Sequence, residues 1–176
     1  MAFSPHISAF HYSVALLCNA KKLKSGTKTH IFRFNQKSLN HFCVFQDIYS
    51  WAGKKRLVEI SKDGKQFFPT THFDNAYRYI DNLIDEFKKT PKNNKNQIAE
   101  RLAIILDTVN YLHPFREGNG RTQREFLRLL ALEKAWVLNL NLADNLSVYK
   151  RYMKGTIESD VTTLTELIFE LLVTKQ

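Results

Sequence analysis

The chain has 176 residues, with 26 Lys or Arg against 17 Asp or Glu and a formal charge of +9 when histidine is neutral. With 44% apolar residues, 13 phenylalanines and 24% charged residues, a chain of this size buries its own core, which excludes collagen-like, mucin-like, coiled-coil and wholly disordered classes. Two cysteines, Cys18 and Cys43, without metal-knuckle or redox spacing weigh against a disulfide scaffold or zinc finger, and no apolar run approaches the roughly 18 to 20 residues of a membrane span.

In chain order, residues 1–38 are expected to form a helical N-terminal extension packed on a single domain, 39–173. Val14 to Ala20 is apolar, but Met1 to Tyr12 offers no Lys or Arg as an n-region, so this stretch reads as helix rather than signal peptide. Ser25 to Thr29 is a turn around Gly26, and Asn35 to Tyr49 is predicted helical. Residues 1–68 hold 11 Lys or Arg and only 3 Asp or Glu. The dense runs Lys21-Lys22-Leu23-Lys24 and Lys54-Lys55-Arg56 would attract phosphate, nucleic acid or an acidic surface. Neither contains a nucleic-acid motif or stacking aromatics, so a solvated face is the plainer reading.

From Arg56 to Phe68, Leu57, Val58 and Ile60 precede Lys62-Asp63-Gly64-Lys65, with Phe67 and Phe68 following. An Asp-Gly pair between short apolar runs predicts a small two-stranded flap. Phe73, Tyr77, Ile80, Ile84 and Phe87 then recur at steps of three and four, the stripe of an amphipathic helix from Phe73 to Lys89 that stops at Thr90-Pro91. A second helix runs from Gln97 to Leu112, and Pro114 disfavours helical backbone at His113. Apolar faces predict further helices at Asn119 to Trp136, Ser147 to Ile157 and Val161 to Val173, making the C-terminal half entirely helical.

Chemistry concentrates in His113-Pro114-Phe115-Arg116-Glu117-Gly118-Asn119-Gly120-Arg121-Thr122-Gln123-Arg124. Gly118 and Gly120 flank Asn119, a good capping residue, just ahead of a helical segment, so several backbone N–H groups should lie unpaired at a helix start. Glycine lets an anion approach the backbone closely, and the helix dipole favours negative charge there. Arg121 and Arg124 stand three apart in the first turn and suit further phosphate oxygens. Glu117 beside phosphates requires a divalent cation between them, and magnesium favours one or two carboxylates plus phosphate oxygens. His113, mostly neutral at pH 7, can serve as a general base. Phe115 should be buried and set the loop by packing.

The stretch His-Pro-Phe-Arg-Glu-Gly-Asn-Gly-Arg-x-x-Arg resembles the Fic family motif at every specified position. Asp47 to Arg56, containing Trp51-Ala52-Gly53, and Ile60-Ser61-Lys62 after it are similar to the family's Trp-Ala-Gly region and flap. The similarity spans roughly Leu39 to Val173. It implies a mainly α Fic fold, a helical bundle with a small β-hairpin flap near the active site. The implied activity is transfer of AMP from ATP to a Ser, Thr or Tyr hydroxyl of a target protein, with release of pyrophosphate. On that resemblance His113 is the catalytic base and Glu117 the Mg2+ ligand. Gly118, Asn119 and Gly120 form the anion hole, and Arg121 and Arg124 hold the distal phosphates. The flap residues Lys62, Asp63, Gly64, Lys65, Gln66, Phe67 and Phe68 would align an extended target segment by main-chain pairing.

In the family's Doc branch a lysine replaces the second glycine and the chemistry is kinase-like; Gly120 fits nucleotidyl transfer instead. Doc-like phosphorylation stays the alternative, together with a basic nucleic-acid-binding module without catalysis. Many relatives carry an inhibitory (Ser/Thr)-x-x-x-Glu-(Gly/Asn) helix. The nearest approach here, Thr162-Thr163-Leu164-Thr165-Glu166-Leu167, has Leu at the last position, so an ordinary core helix with Glu166 exposed is the expectation. A small antitoxin supplying the glutamate in trans, or an active chain with no brake, are the two readings left. Toxin-like action in the cytoplasm or in a host cell fits this resemblance, which leaves a homo-oligomer open.

Overall fold

Short-range apolar spacing builds most of the molecule, and the computed structural model describes residues 41–140 and 145–174. The expected extension 1–38, the Ser25 to Thr29 turn, the Lys21 to Lys24 run and Cys18 lie outside the described residues. Helix α1 (Phe73–Lys89) buries Phe73, Ile80, Leu83, Ile84 and Phe87 and ends at Thr90, whose extended backbone suits the residue before Pro91. Helix α2 (Lys95–Leu112) begins two residues before Gln97 because the Asn94 side chain accepts from Gln97 N–H at 3.1 Å and caps it.

Burial on α2 is wide, covering Ile98, Ala99, Leu102, Ala103, Ile105, Leu106, Val109 and Leu112. It is the central helix, packed by α1, by α3 (Asn119–Glu133), by α4 (Leu146–Glu158) and by α5 (Val161–Leu171). Asn145 and Asp160 cap α4 and α5 by accepting from Val148 and Thr163 amides at 3.1 and 2.9 Å. No helix among the described residues is long and apolar enough to cross a membrane.

The Asp-Gly hairpin forms as expected. Strand β1 (Ser61–Lys62) pairs antiparallel with β2 (Lys65–Gln66), and Asp63 and Gly64 both have positive φ, 51° and 78°, the two left-handed residues of a tight hairpin turn.

Two expectations fail on the far side of the bundle. The helix read as Asn119 to Trp136 stops at Glu133, and the one read as Val161 to Val173 stops at Leu171. The C-terminal half is therefore not entirely helical: β3 (Trp136–Leu138) pairs antiparallel with β4 (Leu172–Thr174), Val137 opposite Val173. The reason is tertiary. Lys134 is buried and donates to the carbonyls of Lys88 and Thr90, and the next residue, Ala135, takes φ 62°, which no helix continues.

A third boundary also shifts. Residues 41–45 are helical, but the helix expected to reach Tyr49 ends at Phe45, where the amides of Ile48 and Tyr49 both return to its carbonyl at 2.9 Å. The chain thus doubles back, and Val44, Phe45 and Ala52 form a small cluster with Tyr49, separate from the bundle core.

Candidate active site

Where α2 ends, His113 takes the left-handed conformation, φ 43° and ψ 60°, and turns the chain toward the glycine loop. Its Nδ1 lies 3.1 Å from the Asn110 carbonyl. A carbonyl only accepts, so Nδ1 carries the proton and Nε2 presents a lone pair, the tautomer a general base requires. Phe67 of the flap stacks on the imidazole at 3.8 Å with planes 19° apart. Phe68 N–H donates to the Tyr111 carbonyl at 3.1 Å. The flap and the histidine therefore form one surface.

Helix α3 starts without a side-chain cap. Gly118 is the N-cap at φ 79°, and the first helical bond runs from Thr122 N–H to its carbonyl at 3.0 Å. The amides of Asn119, Gly120 and Arg121 precede that bond and have no carbonyl within the helix to receive them. The expectation that Asn119 caps the helix is corrected: its side chain is buried and grips Phe115 instead, accepting from Phe115 N–H at 3.0 Å and donating to Phe115 O at 2.7 Å. The residue type that ordinarily fills a helix start is turned inward to shape the loop, and the first amides of α3 receive no cap from it. Phe115 is fully buried, as expected.

Both glycines have distinct reasons. At Gly118 a Cβ would stand 2.5 Å from the Phe45 ring, in a backbone region that side chains avoid. At Gly120 a Cβ would meet only Arg124 Nη1, at 3.3 Å, the tip of a flexible side chain that must give way slightly.

Glu117 Oε1 accepts from Gly118 N–H at 2.8 Å and lies 3.7 Å from Arg121 Nη2. The Arg121 guanidinium also sits 4.5 Å from the Phe45 ring centre, and that of Arg124 5.8 Å from the ring of Tyr152. Burial pushes the Tyr152 phenol up, and neighbouring Arg124 pulls it the other way. Among the described residues no three ligating side chains gather into a metal cluster. A cation here would be held by the exposed Glu117 carboxylate and otherwise by phosphate oxygens and water, which is how magnesium is commonly bound.

Sequence reasoning missed two residues of this site. His41 is fully buried, stacks on Phe115 at 3.9 Å, accepts from Gly53 N–H at 2.9 Å through Nδ1, and places Nε2 2.9 Å from the Glu117 carbonyl. It ties the Trp51-Ala52-Gly53 stretch to the loop. Arg56, read as part of a basic, solvated run, is 1% exposed. Its Nε donates to His113 O at 2.9 Å, and its guanidinium also reaches the carbonyls of Val58, Phe68 and Leu112. A His or Arg held by backbone amides and carbonyls has no sequence signal, because its partners belong to the main chain.

Lys65, expected to dock a target, donates its ammonium to the Ile157 carbonyl at the end of α4 at 3.0 Å. Lys62, Asp63, Gly64 and Gln66 are exposed, and Phe67 and Phe68 half-buried. Glu166 is exposed, as expected, and Arg151 nearby on α4 is held by both carboxylate oxygens of Glu170.

The Fic/DOC family model matches residues 27–131. The chain is 38% identical over 96 residues to protein adenylyltransferase VbhT of Bartonella schoenbuchensis, covering 54% of this chain and 20% of that protein. It is 32% identical over 132 residues to the probable protein adenylyltransferase y4lH of Sinorhizobium fredii, covering 74% of this chain and 67% of that one. The chain thus spans between a fifth and two thirds of the length of these curated relatives. Among solved structures, the BepC effector protein of Bartonella tribocorum with bound AMPPNP gives a TM-score of 0.76 at 14% identity, covering 97% of this chain and 88% of that one. A VirB-translocated Bep effector of Bartonella quintana with bound ADP gives 0.74 at 16% identity, covering 100% and 89%. These two likenesses show a shared fold.

Proposed function

The chain belongs to the Fic/DOC family, and on that premise we propose that it is a protein adenylyltransferase, moving AMP from ATP to a Ser, Thr or Tyr hydroxyl of a target protein. The observation that carries this reading is the uncapped start of α3 standing beside a histidine whose Nδ1 is committed to the Asn110 carbonyl. The names of the curated relatives support the same activity.

In this mechanism the amides of Asn119, Gly120 and Arg121 cradle the phosphates where the positive end of α3 points. Arg121 and Arg124 hold the distal phosphates with charge-assisted bonds, Arg121 leaving its loose contact with Glu117 to do so. Glu117 would hold Mg2+, which when bound offsets phosphate charge and orients the leaving pyrophosphate. His113 Nε2 takes the proton of the target hydroxyl as its oxygen attacks the α-phosphorus. The bond from that phosphorus to the bridging oxygen breaks, and pyrophosphate leaves with the electron pair. The flap presents the target's extended segment by main-chain pairing, with Leu57 and Val58 exposed at its entry.

Gly120, which leaves room beside Arg124, supports nucleotidyl transfer over Doc-like phosphate transfer. A nucleic-acid-binding reading loses Arg56 from its basic run, since that side chain is buried. Leu167, standing where relatives carry Gly or Asn, and the exposure of Glu166 support control by a glutamate from a small antitoxin, or no brake at all, over inhibition from within this helix. Action in the cytoplasm or in a host cell is part of the same proposal.

Incubation with ATP labelled on the α- or the γ-phosphate tests it. Label entering protein from the α-position, with a loss of about 10²- to 10⁴-fold in His113→Ala at little cost to nucleotide binding, is the expected result. Label from the γ-position alone would establish the kinase-like reaction, and wild-type transfer by His113→Ala would remove the base assignment.

A further inference from the structure

Arg56 joins three stretches of chain that are distant in sequence. Its guanidinium lies 4.9 Å from the Phe73 ring centre, with its side chain wholly buried. Nε donates to His113 O at 2.9 Å, and Nη1 to Val58 O at 2.8 Å and Glu59 Oε2 at 3.3 Å. Nη2 donates to Phe68 O at 2.5 Å and Leu112 O at 3.5 Å. The five N–H bonds of a guanidinium thus all find acceptors. Its own amide adds a bond to Pro114 O at 2.8 Å. Both legs of the flap and the bend that carries His113 therefore meet at one rigid plane.

Glu59 extends the joint. Its carboxylate accepts from the Thr70 hydroxyl at 2.6 Å and the Thr70 amide at 2.8 Å, and these bonds hold its carboxyl below the usual range. Phe67, on the second leg and bonded through its amide to Ile60 O, lies on the imidazole. The partners of Arg56 are chiefly backbone carbonyls, so shortening or removing its fork displaces the main chain of the flap relative to the main chain of His113.

We propose that Arg56 is a positioning residue that fixes the distance between a hydroxyl held on the flap and the imidazole of His113. It acts on the transfer step and not on nucleotide capture, whose amides and arginines lie on α3. This inference rests on the transferase reading given above. A lysine cannot replace it, because three donors on a single nitrogen cannot reach the end of α2 and both flap legs together.

The test compares wild type, Arg56→Lys and Glu59→Ala. Labelling from α-phosphate-labelled ATP into the proteins of a bacterial lysate gives the rate and its dependence on ATP. Titration with a nonhydrolysable ATP analogue and Mg2+ gives affinity. Carbon-detected NMR of the His113 ring reads its ring-current shift under Phe67 without any reaction. For Arg56→Lys we expect at least a 100-fold fall in maximal transfer, with half-saturating ATP and analogue affinity within about twofold, and a displaced His113 ring signal. Glu59→Ala, which leaves the buried cation in place, should lose 3- to 10-fold with the same split.

Transfer within threefold of wild type in Arg56→Lys, an unmoved His113 signal, or a loss arising wholly from weaker ATP binding would overturn the proposal. Should Arg56→Lys fail to fold, Glu59→Ala decides: unchanged maximal transfer and an unmoved ring signal in that variant also overturn it. A wild-type chain that transfers no label would instead remove the transferase reading, while the NMR arm still reads whether Arg56 places the histidine.

Discussion

Arg56 and Lys134 stand at opposite ends of α1, each buried and each over a phenylalanine of that helix. Arg56 is 4.9 Å from the Phe73 ring and Lys134 5.4 Å from the Phe87 ring. Both gather helix-terminal carbonyls, where a cation is favoured by the dipole. Lys134 binds Lys88 O at 2.7 Å and Thr90 O at 2.6 Å, two carbonyls of one turn. Arg56 binds the last carbonyls of α2 together with both legs of the flap. The difference is one of reach: a point donor closes a single helix end, whereas a planar fork registers separate pieces of chain against one another. One end of the molecule is thereby closed by a single cation, and at the other the bend carrying His113 is registered against the flap.

Substitutions that strike one end and spare the other can break that contrast. Gly118→Ala at the active-site end should have the largest effect on stability, combining a positive φ with a Cβ 2.5 Å from Phe45. Strain and overpacking together predict a loss of about 2–5 kcal/mol, read as a fall in thermal midpoint of roughly 5–15 °C. Its companion Gly120→Ala has only the tip of Arg124 to displace and should keep the midpoint within about 2 °C while weakening nucleotide binding roughly tenfold, measured by titration.

At the far end, Lys134→Met strips the Lys88 and Thr90 carbonyls of their donor. Burial also holds the Lys134 ammonium below its ordinary range, which offsets part of what the bonds contribute. A loss of about 1–3 kcal/mol follows, seen as a midpoint lower by roughly 3–10 °C, with α-label transfer at the permissive temperature unchanged. If transfer fell as steeply in Lys134→Met as in Arg56→Lys, the two cations would not differ in kind.

Asp107 on α2 gives the smallest shift, and of opposite sign. Burial raises its carboxyl above the ordinary 3.8, with a Ser159 hydrogen bond pulling down. The folded state therefore binds the proton more tightly than the unfolded state, and stability falls as pH rises from the ordinary value through the raised one. Asp107→Asn should unfold slightly later than wild type at pH 7, with the gap closing as pH drops toward 4. Thermal unfolding across that range checks the sign.

Much of this was legible locally. The spacing of Phe73, Ile80, Ile84 and Phe87 locates α1, Asp63-Gly64 locates the hairpin, and the His113 to Arg124 stretch identifies the candidate loop. The failures share a cause. The helix expected from Asn119 to Trp136 runs past Glu133 because Trp136 suits an apolar face of either period, and only the pairing of Trp136–Leu138 with Leu172–Thr174 decides. The residue type of Asn119 favours a cap, yet the backbone of Phe115 claims its side chain.

The amino-acid order by itself determined what short periods and fixed spacings encode: amphipathic helices, a two-residue turn, and the donors and acceptors of one twelve-residue segment. The tertiary structure alone decided which cations are buried, since Lys54, Lys55 and Arg56 are adjacent in sequence and only Arg56 meets the converging carbonyls of α2 and the flap. Backbone carbonyls are the same in every residue, so the place where they gather is set by the path of the chain in space.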